Sequence, residues 1–253
     1  MASNEKKFRV LVTDTVWPST QPEREVLDRI GAEIVEAPDP SEATLTALAA
    51  DADAIMTCFA QVTPTVVQAA KKCQVISRYG VGVDNIAVDT ATTEGIVVTY
   101  LPDYCVDEVS DHVMALLLTW NRQIGFYDGV AKEGRWSGVA SPAPLVRLRG
   151  RKLGIAGLGR IGRAVAVKAQ AFGLEVSAHD PYLPAGISPP SNVPMVDLPT
   201  LLAESDYITL HTPLNEETRG YIGAGEFAMM KPSAFIINCA RGPIIDEDRK
   251  SVV

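Results

Sequence analysis

Three glycines in the stretch GLGRIG, Gly157, Gly159 and Gly162, follow an apolar run of strand character and precede a stretch whose apolar residues recur at helical spacing. The physical demands of such a strand-turn-helix are specific. The first glycine makes a tight turn, the second lets the backbone approach a pyrophosphate, and the third lets the helix pack closely on the strand. The unpaired amides at the helix start attract the anion. Asp180 ends the next apolar run, EVSAHD, 23 residues beyond Gly157. A carboxylate there grips ribose hydroxyls and repels an additional phosphate, which favours NAD over NADP. The plainer alternative is a glycine turn with Asp180 as a cap. The strand-turn-helix context together with the acidic partner favours dinucleotide binding. HDPY (179–182), HTP (211–213) and CARG (239–242) also follow apolar runs. Four polar motifs thus converge beyond the carboxyl ends of one parallel sheet, where ligands of open sheets gather.

The elements that must hold these motifs alternate along the whole chain. RVLVTD (9–14), AEIVEA (32–37), DAIMTCF (53–59), QVISRYG (74–80) and GIVVTY (95–100) read as strands, separated by helical stretches with Pro, Asp, Ser or Thr near their starts. One long amphipathic stretch, residues 106–134, follows. After it comes RWSGVASPAPLVRLRG, a connecting segment whose basic residues are most simply a solvated turn, with phosphate binding as the alternative. A second series then runs KLGIAGLG (152–159), a helix over 160–173, EVSAHD (175–180), LPTLLAES (198–205), DYITLHT (206–212), AGEFAMMK (224–231) and AFIINCA (234–240), with a weak strand at VPMVD and a further helix starting at Asp246. This is βαβ repetition, hence an α/β protein with parallel sheets.

Composition narrows the class. The 253 residues are 47% hydrophobic, enough for two compact domains, and the formal charge of −8 offers no broad basic face, so nucleic acid is not expected as a direct partner. Cys58, Cys73, Cys105 and Cys239 are far apart, as suits reduced thiols. The N-terminus has no signal-peptide pattern, and no apolar run is long enough to span a bilayer. The expectation is a soluble cytoplasmic protein without membrane partners.

With RYGVGVDNI (78–86), GLGRIGRAVA (157–166), HDPY, HTPLN (211–215) and INCARGPIIDE (237–247), the chain resembles the D-isomer-specific 2-hydroxyacid dehydrogenases. PDYCVDEVSDHVMALLL and AFGLEVSAHDPY look nearest to the C-terminal-binding-protein-like or phosphoglycerate-dehydrogenase-like branch. The resemblance implies two parallel-sheet domains, a flavodoxin-like substrate domain over 1–103 and an incomplete Rossmann NAD-binding domain over 104–253. It also implies an NAD cofactor and a homodimer of the full-length parent through the helix beginning at Val106. Arg160 and Ile161 would lie at the pyrophosphate and Asp180 at the ribose. His211, Thr212, Pro213, Cys239 and Ala240 would surround the nicotinamide half. Arg241 would hold the carboxylate and carbonyl oxygens of a 2-oxo acid, a role that suits a planar, permanently charged guanidinium; a surface ion pair is the alternative. Val81 and Gly82 would offer backbone amides to the same carboxylate in a cleft between the domains, and a plain glycine-rich strand end is the alternative there.

The implied reaction interconverts a D-2-hydroxy acid and a 2-oxo acid. It also requires a histidine acid–base oriented by a glutamate, both further along the family pattern than the residues that follow Arg241 here. The chain's three histidines, His112, His179 and His211, match neither position and read as packing or cofactor-shaping residues. The final DRKSVV departs from the family pattern and can be encoded by a stretch resembling a sequencing-library adapter. It is read as an interruption that leaves a truncated chain of little activity. A second reading, from the C-terminal-binding-protein branch, is an NAD(H)-sensing module that binds proteins.

Overall fold

The computed structural model describes residues 8–135, 138–183, 188–190 and 192–247. It divides into two compact units, Met1–Tyr104 and Cys105–Val253.

In the first unit, strands β1 (Phe8–Val12), β2 (Ala32–Glu36), β3 (Ala54–Thr57), β4 (Val75–Arg78) and β5 (Val97–Thr99) form one wholly parallel sheet in the order β2-β1-β3-β4-β5. That is the flavodoxin-like doubly wound order. Helices α1 (Gln21–Leu27), α2 (Glu42–Ala49), α3 (Pro64–Ala69) and α4 (Val88–Thr93) connect the strands. Ser41 and Thr63 cap α2 and α3 by accepting from the Thr44 and Val66 amides, which fixes where those helices begin. Leu45, Ala49, Val66 and Val67 then pack on Ile55 and Ile76 in a single core, each large side chain contributing about 1.5–3 kcal/mol. The strands end one or two residues earlier than their apolar runs. The surplus residues, among them Thr13, Asp14, Cys58, Phe59, Tyr79 and Gly80, turn outward to make the carboxyl-end loops.

In the second unit, the long amphipathic stretch is two helices rather than one: α5 (Val106–Arg122) and α6 (Ile124–Lys132). Gln123 breaks them, lying in the left-handed region (φ 52°, ψ 39°) with its side-chain amide donating to the Trp120 carbonyl at 2.7 Å. Periodicity continues through such a residue, so the sequence pattern does not show the break. The basic residues Arg147, Arg149 and Arg151 are exposed, as a solvated turn requires. Strands β6 (Lys152–Ala156), β7 (Glu175–His179), β8 (Tyr207–Leu210) and β9 (Phe235–Asn238) form a parallel sheet in the order β7-β6-β8-β9. The VPMVD stretch makes only one bridge, Met195 to Ala178, outside β7. With that bridge counted as a third strand beside β7, the order from β6 is 3-2-1-4-5, that of a Rossmann half-sheet and its continuation.

Helix α7 (Arg160–Ala171) packs with α5 on one face of this sheet, burying Val113, Leu117, Val165 and Ala169 against Ile155 and Ile237. Helices α8 (Leu198–Glu204) and α9 (Ala224–Met229) cover the other face with Leu201, Leu202 and Phe227 against Ile208 and Leu210. Lys168 of α7 donates to Ser110 Oγ at 2.7 Å and to Asp111 Oδ1 at 2.6 Å, pinning α5 to α7. Within β9 only Ile237 is buried, while Phe235 and Ile236 are half-buried. A 3₁₀ turn, Gly242–Ile244, follows β9, Asp246 N donates to the Ile222 carbonyl at 2.9 Å, and Glu247 directly after it is already in 3₁₀ helical conformation. The remainder of that expected helix and the DRKSVV ending lie outside the described residues. Among the described residues no helix is long and apolar enough to cross a membrane, and no cluster of three or more His, Cys, Asp or Glu could hold a metal ion.

Candidate active site

The second unit's site grows from the loop between β6 and α7. Gly157 has φ +94°, which side-chain-bearing residues rarely adopt, and a Cβ there would lie 2.8 Å from the His211 carbonyl carbon and oxygen. The close approach arises because β6 and β8 are neighbours, and the chain leaves the sheet in opposite directions at that switch point. A Cβ on Gly162 would meet the Gly157 oxygen at 2.2 Å, so the third glycine lets α7 sit on the turn. Gly159, by contrast, faces open space and has no side-chain cap over the first amides of α7. A pyrophosphate fits there: a helix start without a side-chain cap, an exposed backbone and the positive end of a 12-residue helix point the same way. Arg160 is exposed and Ile161 half-buried beside it.

Asp180 closes the loop from the β7 side. Its Oδ2 accepts from Leu158 N at 2.8 Å and its Oδ1 from Tyr182 N at 3.0 Å. A carboxylate offers about four acceptor positions. Two are used in shaping the loop, which leaves two for a pair of ribose hydroxyls. The structure adds a brace that glycine spacing does not reveal: Arg163 donates from Nε to the Leu158 carbonyl at 3.0 Å and from Nη1 to the Ser188 carbonyl at 3.1 Å.

Beyond β8, His211 N donates to the Ala156 carbonyl at 2.8 Å, continuing the β6–β8 ladder into the rim. The His211 ring is half-buried with Nε2 2.9 Å from Thr209 Oγ1, and burial pushes its pKa down to about 4. It is therefore neutral at physiological pH. Thr212 Oγ1 is buried without a partner in the protein, an orphaned polar atom on this same rim. Such an atom costs free energy unless a ligand or water satisfies it, so it too fits a bound cofactor. Pro213 is exposed, and Thr218 Oγ1 donates to its carbonyl, stapling the turn.

Beyond β9, Cys239 and Ala240 are half-buried, and burial pushes the Cys239 thiol up. Asn238 organises this turn. Its Oδ1 accepts from Ala240 N at 3.0 Å and its Nδ2 donates to the Arg241 carbonyl at 2.8 Å. Arg241 is half-buried and donates from Nη1 to the Ala240 carbonyl at 2.9 Å. The Asn238 contribution was readable only as a polar residue ending an apolar run. Gly157, Asp180, His211, Thr212 and Arg241 all stand at carboxyl ends of strands of one sheet. His112 is elsewhere, exposed on α5 rather than packed, whereas His179 ends β7 beside Asp180: its carbonyl accepts from Gly157 N at 2.9 Å and its ring Nδ1 lies 2.9 Å from the Val196 carbonyl.

In the first unit, Val81 is exposed and Gly82 half-buried, on the loop after β4. Two residues that the sequence pattern passed over shape that loop. Arg78, 6% exposed, donates from Nε to Asn85 Oδ1 at 3.2 Å and from Nη1 to the Tyr79 carbonyl, while Asn85 Nδ2 donates to the Ala60 carbonyl at 2.8 Å. Gly80 is required beneath this clamp, since a Cβ would lie 2.7 Å from Arg78 Nη1.

Comparison with known proteins agrees with this geometry. Residues 114–249 match the family model described as D-isomer specific 2-hydroxyacid dehydrogenase, NAD binding domain. The D-3-phosphoglycerate dehydrogenase of Methanocaldococcus jannaschii is 38% identical over 241 residues, 94% of this chain and 45% of that protein. The chain therefore spans about half the length of such curated relatives. Among solved structures, the Aquifex aeolicus D-lactate dehydrogenase complexed with NAD and lactic acid superposes with a TM-score of 0.85 at 27% identity, covering 95% of this chain and 71% of that one. A glyoxylate reductase from Paecilomyes thermophila gives a TM-score of 0.85 at 29% identity, covering 96% of this chain and 76% of that one. A Rossmann-ordered sheet, a glycine turn closed by Asp180, and a family match over residues 114–249 of that unit agree: the chain belongs to the D-isomer specific 2-hydroxyacid dehydrogenase family.

Proposed function

We propose that the protein acts as an NAD-dependent oxidoreductase that interconverts a D-2-hydroxy acid and a 2-oxo acid. The observation that carries this reading is the placement of Arg241 on the same carboxyl-end rim as the Gly157 turn, Asp180 and the orphaned Thr212 hydroxyl. When bound, the nicotinamide supplies or accepts the hydride.

The chain's own residues account for the rest. The α7 amides and Gly159 receive the pyrophosphate, and Asp180 accepts from the ribose hydroxyls. His211, Thr212, Pro213, Cys239 and Ala240 line the place of the nicotinamide half. A neutral His211 adds no positive charge that would disfavour oxidised nicotinamide. The Arg241 fork binds carboxylate and carbonyl oxygens, which orients the carbonyl carbon. In the first unit, the Val81 and Gly82 amides are donors suited to a carboxylate.

Proton transfer is a separate matter. His112 is exposed on α5, His179 is engaged by the Val196 carbonyl, and His211 is held neutral by burial. None is placed to exchange a proton with a substrate hydroxyl, so turnover by the 253-residue chain is expected to be slow. Losing a general acid typically costs ~10²–10⁴ in rate. No observation favours the protein-binding sensor as a second reading.

The test is fluorescence titration with NADH and NADPH, followed by NADH oxidation with pyruvate, glyoxylate and hydroxypyruvate. Saturable NADH binding in preference to NADPH supports the assignment, and no binding of either nucleotide would overturn it. Rapid turnover would overturn the proton-transfer argument alone.

A further inference from the structure

The second unit holds a cavity of about 260 Å³ at the end of its sheet away from the cofactor rim. The last turn of α5, the connecting segment before β6 and the residues that enter β8 and β9 meet there. Trp120 and Asn121 of α5, Pro144 and Val146 of the connecting segment, and Tyr207 at the start of β8 are among its walls. The Trp120 indole stacks on Phe235, with ring centroids 4.8 Å apart and planes 5° from parallel, so this wall is flat and held in place.

Asn121 is only 4% exposed, and an amide buried so deeply requires partners at both ends. Its Nδ2 donates to Tyr207 Oη at 2.8 Å, whereas its Oδ1 is buried with no partner among the described residues. Burial pushes the Tyr207 phenol up, so it keeps its proton at neutral pH. That proton has no acceptor among the described residues, because Tyr207 Oη is the acceptor in its bond with Asn121. The pair therefore has one acceptor and one donor to spare. A half-turn of the amide exchanges the roles, with Tyr207 donating to Oδ1 and Nδ2 left over, and still leaves one of each. The charges at this end are engaged with one another. Asp206 Oδ1 accepts from Lys231 Nζ at 3.0 Å and lies 3.5 Å from Arg151 Nη1, and its Oδ2 accepts from Lys152 N at 2.9 Å. Neutral hydrogen-bonding groups remain as the selective ones.

We propose that this cavity binds a neutral, planar, single-ring molecule with an amide or lactam edge, whose N–H donates to Asn121 and whose carbonyl accepts from Tyr207. The size agrees. Sites for drug-sized ligands run to about 300–1,000 Å³, and a cavity of about 150 Å³ holds benzene, so 260 Å³ suits one substituted ring. Such a ring stacks on the Trp120 indole and removes water from Pro144 and Val146, while its edge satisfies the orphaned Asn121 oxygen. Water alone would satisfy the polar pair and leave the apolar walls wet. The proposal is independent of the dehydrogenase reading, because the cofactor rim stands at the carboxyl ends of β6 and β8 and the cavity at their amino ends.

The experiment titrates the 253-residue protein with 2-pyridone, a one-ring lactam, and with 1-methyl-2-pyridone, which keeps the ring and carbonyl but has no N–H. Binding is read by isothermal titration and by the Trp120 indole N–H resonance, assigned through its loss in Trp120→Phe. The expected result is saturable binding of 2-pyridone with a dissociation constant on the order of 1 mM or below, as suits so small a ligand. The Trp120 resonance should shift, and the methylated ring should bind about tenfold more weakly. Asn121→Leu, with folding checked by circular dichroism, should remove that tenfold difference. Tyr207→Phe keeps the packed ring and should weaken 2-pyridone about tenfold, which tests the same edge if Asn121→Leu does not fold. No saturation by about 10 mM 2-pyridone, the result for a cavity that holds water alone, would overturn the proposal. Equal binding of the two rings would overturn the lactam edge and the ligand class with it. Saturable binding that leaves the Trp120 resonance unmoved, and that Tyr207→Phe does not weaken, would put the ligand elsewhere and overturn the site.

Discussion

Replacing Asp180 with Ala separates two jobs that the structure gives to one side chain. The carboxylate anchors the glycine loop through Leu158 N at 2.8 Å and Tyr182 N at 3.0 Å, and its two remaining acceptor positions face the proposed ribose. Loss of the anchor leaves two amides without their partner, at about 1–3 kcal/mol for each that stays buried, and this weakens every nucleotide alike. Loss of the ribose contacts removes hydrogen bonds to a charged group worth about 1.5–3 kcal/mol each, and this weakens NADH alone. NADPH instead escapes repulsion between its 2′-phosphate and the carboxylate. The ratio of the two dissociation constants cancels the shared loop damage. That ratio should shift against NADH by about 10²–10⁴, at 1.4 kcal/mol per tenfold. Fluorescence titration of both nucleotides against both proteins reads it directly. Equal loss for NADH and NADPH would show that Asp180 only builds the loop and would refute its ribose role.

Gly162→Ala should abolish NADH binding and cost about 1–3 kcal/mol in stability, because the new Cβ would lie 2.2 Å from the Gly157 oxygen and backbone must move to admit it. Unchanged thermal denaturation and titration curves would contradict the packing argument. Arg241→Lys keeps the charge but loses the planar fork, so 2-oxo acid affinity should fall about 10–100-fold while NADH affinity stays level; a parallel fall in NADH affinity would instead mark Arg241 as a structural support of its turn. For His211, the folded pKa of about 4 lies below the ordinary value of 6.5, so the unfolded chain binds more protons between those pH values and stability rises with pH across that window. Denaturant unfolding should therefore show the unmodified protein losing about 2 kcal/mol more than His211→Gln between pH 7 and pH 5, and identical pH slopes would refute the burial of a neutral ring.

Local chemistry was legible from residue order alone wherever it depends on neighbours along the chain. The glycine spacing of GLGRIG after a strand, Asp180 at the next strand end, and the alternation of apolar runs with capped helices are of that kind, and they specify two parallel α/β sheets. Ser41 and Thr63 begin their helices because a hydroxyl three residues ahead of an amide can always reach it. Tertiary structure decided what depends on groups distant in sequence or on a single backbone angle. The break at Gln123 rests on one left-handed residue inside an unbroken apolar period. Weak strand character at VPMVD yields one bridge, because pairing needs a neighbour at the right register as well as propensity. The roles of Arg78, Asn85, Arg163 and Asn238 emerged only when folding brought their side chains to carbonyls and amides of the rim loops. His211 reads in sequence as a packing or cofactor-shaping residue, and only the folded chain supplies the burial that pushes its pKa down to about 4. Composition and spacing record which groups are available, whereas desolvation and hydrogen-bond geometry, which exist only in the folded chain, determine the protonation and orientation each group adopts.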